Sequence, residues 1–128
     1  MEPIAWDEEK FSVGHPLMDS QHQTIIGIIN KLIVLSHGDA NKLDLLDIFM
    51  EISNYAMNHF DEEEAILSQW GGSILKEQTD SHNQYSEELA KMMIGIDNHN
   101  IDDILRFVTH WWVNHILIED MNYKALFT

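Results

Sequence analysis

Cysteine is absent from the 128 residues, which excludes disulfides, thiolate metal sites and thiol catalysis. Proline occurs only twice, at Pro3 and Pro16, so nothing after residue 16 is barred from helix. Basic residues are scarce: 7 Lys and Arg stand against 22 Asp and Glu, a formal charge of −15. Such a surface repels phosphate backbones and anionic headgroups, so neither nucleic acid nor a membrane is an expected partner. No apolar run approaches the roughly 20 residues of a spanning helix. The opening MEPIAWDEEKF lacks the basic-then-apolar pattern of a signal peptide, and the expected location is the cytoplasm. Strand-like alternation, internal repeats and low-complexity segments are missing too.

What remains is a helical chain rich in histidine. With 45% hydrophobic residues, 128 residues suffice for one domain with a real core. Apolar periodicity predicts a first helix from Asp19 or Ser20 to about residue 36, then others over 42–69, 73–96 and 101–119. The turns between them carry HGDAN (37–41), WGG (70–72) and DNHN (97–100). Similar lengths and short connections predict an all-α, antiparallel up-down-up-down four-helix bundle over 19–119. An arm, 1–18, contains Trp6 and Phe11 and is expected to lie across the bundle. A short tail, 120–128, follows it.

Each predicted helix carries a His on its apolar stripe. The first stripe, Ile25, Ile26, Ile29, Leu32 and Ile33, extends back one turn to His22. The second, Phe49, Ile52, Ala56, Phe60 and Ile66, includes His59 and Glu63. The third, Tyr85, Leu89, Met92 and Ile96, leads back through His82 to Gln78, and the fourth, Ile104, Val108, Trp111 and Trp112, leads forward to His115. A single His on such a stripe is ordinarily a hydrogen-bonded core residue. Four need four buried partners, and each one left unpaired costs about 1–3 kcal/mol. Up-down alternation brings all four to the same end of the bundle, where a metal would serve as their common partner. By contrast, His15, His37, His99 and His110 read as surface or loop residues, and Trp111, Trp112, Tyr85, Met92 and Met93 as core filling.

The carboxylates sharpen this. His59 and Glu63 are four apart, hence about 40° apart on one helix face, and a buried Glu needs a neutralising charge. Asp61, Glu62 and Glu64 fall off that stripe and are expected in solvent. His115 and Asp120 are five apart, about 140° on a regular helix. Spacing alone therefore does not turn both inward, although a frayed helix end can.

These residues carry a family resemblance. The N-terminal W-x4-F-x-VGHPLMDSQHQ, then HFDEEE (59–64), then HILIED (115–120) resemble, in order, the motifs of the hemerythrins and more closely the bacteriohemerythrins. The resemblance covers nearly the whole chain. It implies a non-heme di-iron centre (Fe2+/Fe3+, oxo- or hydroxo-bridged) that binds dioxygen reversibly for storage, transport, delivery or sensing. By that resemblance Glu63 and Asp120 bridge the irons, and His22 and His59 hold the iron where dioxygen binds. His82 and His115 hold the other. The third imidazole of that iron falls on Gln78, a departure from the family's His-x3-His.

An amide oxygen is a weaker ligand than imidazole. Gln78 can coordinate, hydrogen-bond a coordinated water, or leave its position open; Glu77 lies about 100° away round the helix. Two function classes follow. The favoured one is a dioxygen-binding protein, with a redox or oxygen-accepting protein as a possible partner. The other is a di-iron enzyme of peroxidase or oxidase type, working through a site opened at Gln78. A bundle with a vestigial site is a third class, and manganese or zinc are chemically admissible metals.

Overall fold

The computed structural model describes residues 2–38, 42–95 and 101–127. A single turn, α1 (Glu8–Phe11), precedes four long helices: α2 (Pro16–Ser36), α3 (Lys42–Leu67), α4 (Gly72–Ile94) and α5 (Ile101–Asn114). The expected turn at 97–100, with His99 and the stripe position Ile96, lies outside the described residues, as do residues 39–41 of the first turn.

Cross-helix pairs fix the directions. Going up α2, Gln21 meets Glu62 and Lys31 meets Glu51, so α3 runs the opposite way. Thr79 bonds Glu64 while Tyr85 packs on Phe60, which makes α4 antiparallel to α3. α5 packs on both α2 and α4 and closes the antiparallel four-helix bundle.

The first long helix begins earlier than the expected Asp19 or Ser20. Pro16 takes the first helical position, where its fixed φ suits the helix and its missing N–H costs nothing. His15 Nδ1 accepts from the Met18 N–H at 3.4 Å. Asp19 is thereby freed from capping and turns back on the arm, accepting from Ser12 Oγ at 2.6 Å and from the Val13 N–H at 2.8 Å. Further out, Ile4 exchanges two bonds with the Asn30 side chain and Trp6 stacks on Phe11. Between α3 and α4 the chain turns through Gly71 and Gly72, at φ 62° and 70°, a region that favours glycine.

The fourth helix departs most from expectation. Regular α-helix stops at Asn114, and His115–Glu119 is π-helical, with the Asp120 N–H donating to the His115 carbonyl. This i→i+5 bond widens the turn by one residue, so positions five apart share a face. A 3₁₀ segment, Asp120–Leu126, completes the tail.

The interior has three layers. A large apolar cluster runs from Ile25, Ile29 and Leu32 through Phe49, Ile52 and Phe60 to Tyr85, Leu89, Ile104 and Trp112. A smaller one gathers Val13, Met18, Leu67 and Tyr123. His22 lies between Met18 and Ile25 along α2, Glu63 between Phe60 and Leu67 along α3, and Asp120 between Ile116 and Tyr123. The polar residues therefore form a layer between two apolar ones. Of the expected stripe residues, Ile66, Met92 and Trp111 are only half-buried.

Candidate metal centre

His22, His59, Glu63, Gln78, His82, His115 and Asp120 are all buried in this layer. Two donor groups form within it, His22–His59–Glu63 and Glu63–His82–His115; within each, one ligand atom per residue lies inside 4.8 Å of the others. Glu63 is common to both and divides its oxygens. Oε2 lies 3.6 Å from His22 Nε2 and 3.5 Å from His59 Nε2. Oε1 lies 2.9 Å from His82 Nε2 and 3.7 Å from His115 Nε2. Asp120 divides likewise, with Oδ2 at 3.1 Å from His22 Nε2 and Oδ1 at 3.1 Å from His115 Nε2. The π turn is what makes this possible, since it brings Asp120 onto the face of His115.

These close approaches are poorly made hydrogen bonds. Among the described residues, His22 Nε2, His59 Nε2, Glu63 Oε1 and Asp120 Oδ2 have no aligned partner although all are buried. Distance without alignment is a weak interaction, and each unsatisfied buried group costs roughly 1–3 kcal/mol. Four such atoms facing one another would consume much of the roughly 5–15 kcal/mol by which a domain is stable. Lone pairs directed at a shared cation resolve the conflict. Imidazole and carboxylate together are a donor set that first-row divalent metals accept.

The outer nitrogens set the tautomers. His82 Nδ1 lies 2.8 Å from Glu64 Oε2, and His59 Nδ1 lies 2.6 Å from Gln21 Oε1, whose amide nitrogen bonds Glu62. His115 Nδ1 is 3.5 Å from both Ser81 Oγ and Glu119 Oε1. In each case Nδ1–H donation would leave Nε2 as the inward lone pair once a cation takes the place of the proton between His82 Nε2 and His115 Nε2, 3.2 Å apart, the arrangement that orients metal-bound imidazoles. Glu64 is thus half-buried against His82 rather than in solvent, because its neighbour Glu63 sets α3 so that the next side chain faces α4. Asp61 and Glu62 are exposed, as are His37 and His110. Phe60 stacks on His82 at 3.9 Å and Trp111 on His115 at 4.4 Å.

Four participants escaped the sequence reading: Gln21, Ser81, Glu119 and Tyr123. Glu119 carried a usable signal, four residues from His115 on a helix. Gln21 and Tyr123 carried none until the helix registers were known. Tyr123, from the supposed tail, is fully buried, and its hydroxyl donates to Glu63 Oε2 at 2.7 Å.

The charges are strongly coupled. Burial pushes the His22 pKa down, but contacts with Asp120 and Glu63 outweigh it and raise it to about 9. For His115, burial is again overcome, by the Asp120 charge, Glu119 and Glu63, and the value reaches about 10. Burial dominates at His59 and lowers it. Burial would raise Glu63, yet the surrounding rings of His115, His22, His59 and His82 hold it well below the usual carboxylate range. Burial, then the Asp120 and Glu63 charges, push the Tyr123 hydroxyl far up, so it stays a proton donor. Without metal, protons on His22 and His115 therefore balance the buried acids at neutral pH.

Gln78 sits on the His82–His115 side, 3% exposed. Its Nε2 donates to Asp120 Oδ1 at 3.0 Å and to the Glu119 carbonyl at 3.3 Å.

Fold and donor set together define an all-α bundle suited to holding cations between its helices. A family model for the hemerythrin HHE cation binding domain matches residues 13–127. The chain belongs to the hemerythrin family. It is 30% identical to a bacteriohemerythrin of Clostridium acetobutylicum, over 94% of this chain and 98% of that protein. With a hemerythrin-like protein of Naegleria gruberi it shares 27% identity, over 97% and 93%. The fold is similar to that of wild-type hemerythrin in its crystal structure, with a TM-score of 0.86 at 24% identity over 97% of each chain. Among the described residues no helix is long and apolar enough to cross a membrane.

Proposed function

We propose that the chain acts as one hemerythrin-like domain whose buried centre holds two non-heme irons and binds dioxygen reversibly. His22 and His59 would hold one iron, His82 and His115 the other, with Glu63 and Asp120 shared. The observation that carries this reading is the division of both carboxylates: each offers one oxygen toward each imidazole pair. When bound, the iron pair supplies the reversible two-electron chemistry that dioxygen binding needs.

The chain's own residues do the rest. Glu64, Gln21, Ser81 and Glu119 hold the rings with Nε2 inward. Phe60, Trp111 and Trp112 pack around them and limit water, which slows irreversible oxidation. Tyr123 donates to Glu63 Oε2, fixing that carboxylate and leaving a proton beside the centre.

A second reading, an oxidase- or peroxidase-type enzyme, is favoured by one observation, an amide at position 78 on the His82–His115 side. Mixing the reduced, iron-loaded protein with dioxygen separates the two. A stable coloured adduct that reverts under vacuum supports carriage or sensing. Prompt conversion to an inert diferric form supports the enzyme.

A further inference from the structure

We propose that Gln78 acts as a donor to the shared carboxylate and not as a metal ligand. The remaining position on the His82–His115 side then falls to a small neutral hydrogen-bond donor, such as water or hydrogen peroxide, entering through a polar cleft at α4. This inference rests on the di-iron reading above.

The first support is the amide's orientation. Amide oxygen and nitrogen are told apart by their partners. Both partners of Nε2, the Asp120 carboxylate and the Glu119 carbonyl, can only accept. Turning the amide over would set its oxygen against two acceptors. The Glu119 carbonyl remains an acceptor whether or not metal is present, so the NH2 group stays where it is. A carboxylate oxygen has lone pairs enough to accept from Gln78 and bind a cation as well.

The second support is the amide's other end. Gln78 Oε1 is buried and has no hydrogen-bond partner among the described residues. Gln78 also forms part of the wall of a cleft of about 330 Å³, whose lining includes Glu77, Asp80, Ser81, Gln84, Glu119 and Asn122. An orphaned acceptor at a polar cleft calls for a ligand that carries a proton to it. The lining selects further: Glu77 and Glu119 disfavour anions, and the neighbouring cation, Lys76, is already paired with Asp80 at 2.7 Å. Small, neutral and proton-bearing is the class left.

Nitric oxide counts the open positions. Reduced protein, with its iron content measured first, is titrated anaerobically and followed by absorbance and the N–O stretch. Wild type is expected to take two nitric oxides per iron pair, and Gln78→His, which supplies an imidazole there, only one. Gln78→Ala is expected to take two, the second no more than threefold faster than wild type. Gln84→Trp, filling the cleft from its exposed rim, is expected to slow only the second. One nitric oxide in iron-loaded wild type, or two in Gln78→His, overturns the inference and leaves the di-iron reading intact. A second binding step more than threefold faster in Gln78→Ala means that the amide was a ligand to be displaced, and also overturns it. An unchanged second step in Gln84→Trp removes the cleft as the route. Fewer than two irons in wild type sinks both readings together.

Discussion

On the α2–α3 side of the centre, His59 is held by the neutral amide of Gln21, and His22 Nδ1 has no hydrogen-bond partner among the described residues. On the α4–α5 side, His82 is held by Glu64 and His115 by Ser81 and Glu119, so two carboxylates stand behind the rings. Both sides share Glu63 and Asp120. A carboxylate behind an imidazole makes it a stronger donor to a metal. The side that carries Gln78 is therefore the one whose two imidazoles are better supported. The α4–α5 half is expected to load first and hold more tightly, with its last position left exchangeable.

Removing what the halves share tests this hardest. Glu63→Ala deletes an oxygen from each side, and metal content measured by elemental analysis should fall from two per chain to a trace. If one full equivalent survived, the carboxylate would not be shared. Next come the supports behind the rings. Glu64→Gln should weaken the tighter site by about 10–100-fold in metal affinity, whereas Gln21→Ala should cost less, at the weaker site. Competition titration with a chelator measures both, and the reverse ranking would mean that the α4–α5 half is not the tighter one.

Protonation offers a smaller effect that treats the halves alike, since each has one raised imidazole. His22 and His115, raised to about 9 and about 10, lend stability that is fully present below the ordinary 6.5 and lost as pH climbs through those values. Glu63 works in the opposite sense: held below 4.5, it contributes above that value and loses its contribution as pH falls. Metal-free protein should therefore melt highest near neutrality and lower toward pH 10. A melting temperature that is flat across that range contradicts the assignment. Metal must displace the same protons, so affinity should rise over the same interval. The smallest change is Tyr123→Phe, which keeps the ring and removes one bond to a charged group, for about 1–3 kcal/mol by chemical denaturation.

Much of this centre was readable from residue order. Period-3.6 stripes placed His22, His59, Glu63, His82 and His115 inward because α-helices repeat regularly, and alternation of direction brought them to one level. Asp120 was not readable by spacing, since a π turn is a local widening that no periodicity announces. Glu64 was misread because its partner, His82, is on another helix, and inter-helix register is absent from a single strand of text. Tyr123 was lost for a related reason: the 3₁₀ tail folds back under the bundle, and its burial depends on Val13, Met18 and Leu67 being there to receive it.

Two cations are proposed for the layer between the apolar clusters. Anaerobic reconstitution of the metal-free protein with ferrous iron, followed by iron analysis and a thermal melt of the same sample, tests this directly. Two irons per chain and a higher melting temperature are expected, because a ligand bound only by the folded state stabilises it. Protein that takes up no iron, and melts where it did before iron was offered, would contradict the proposal.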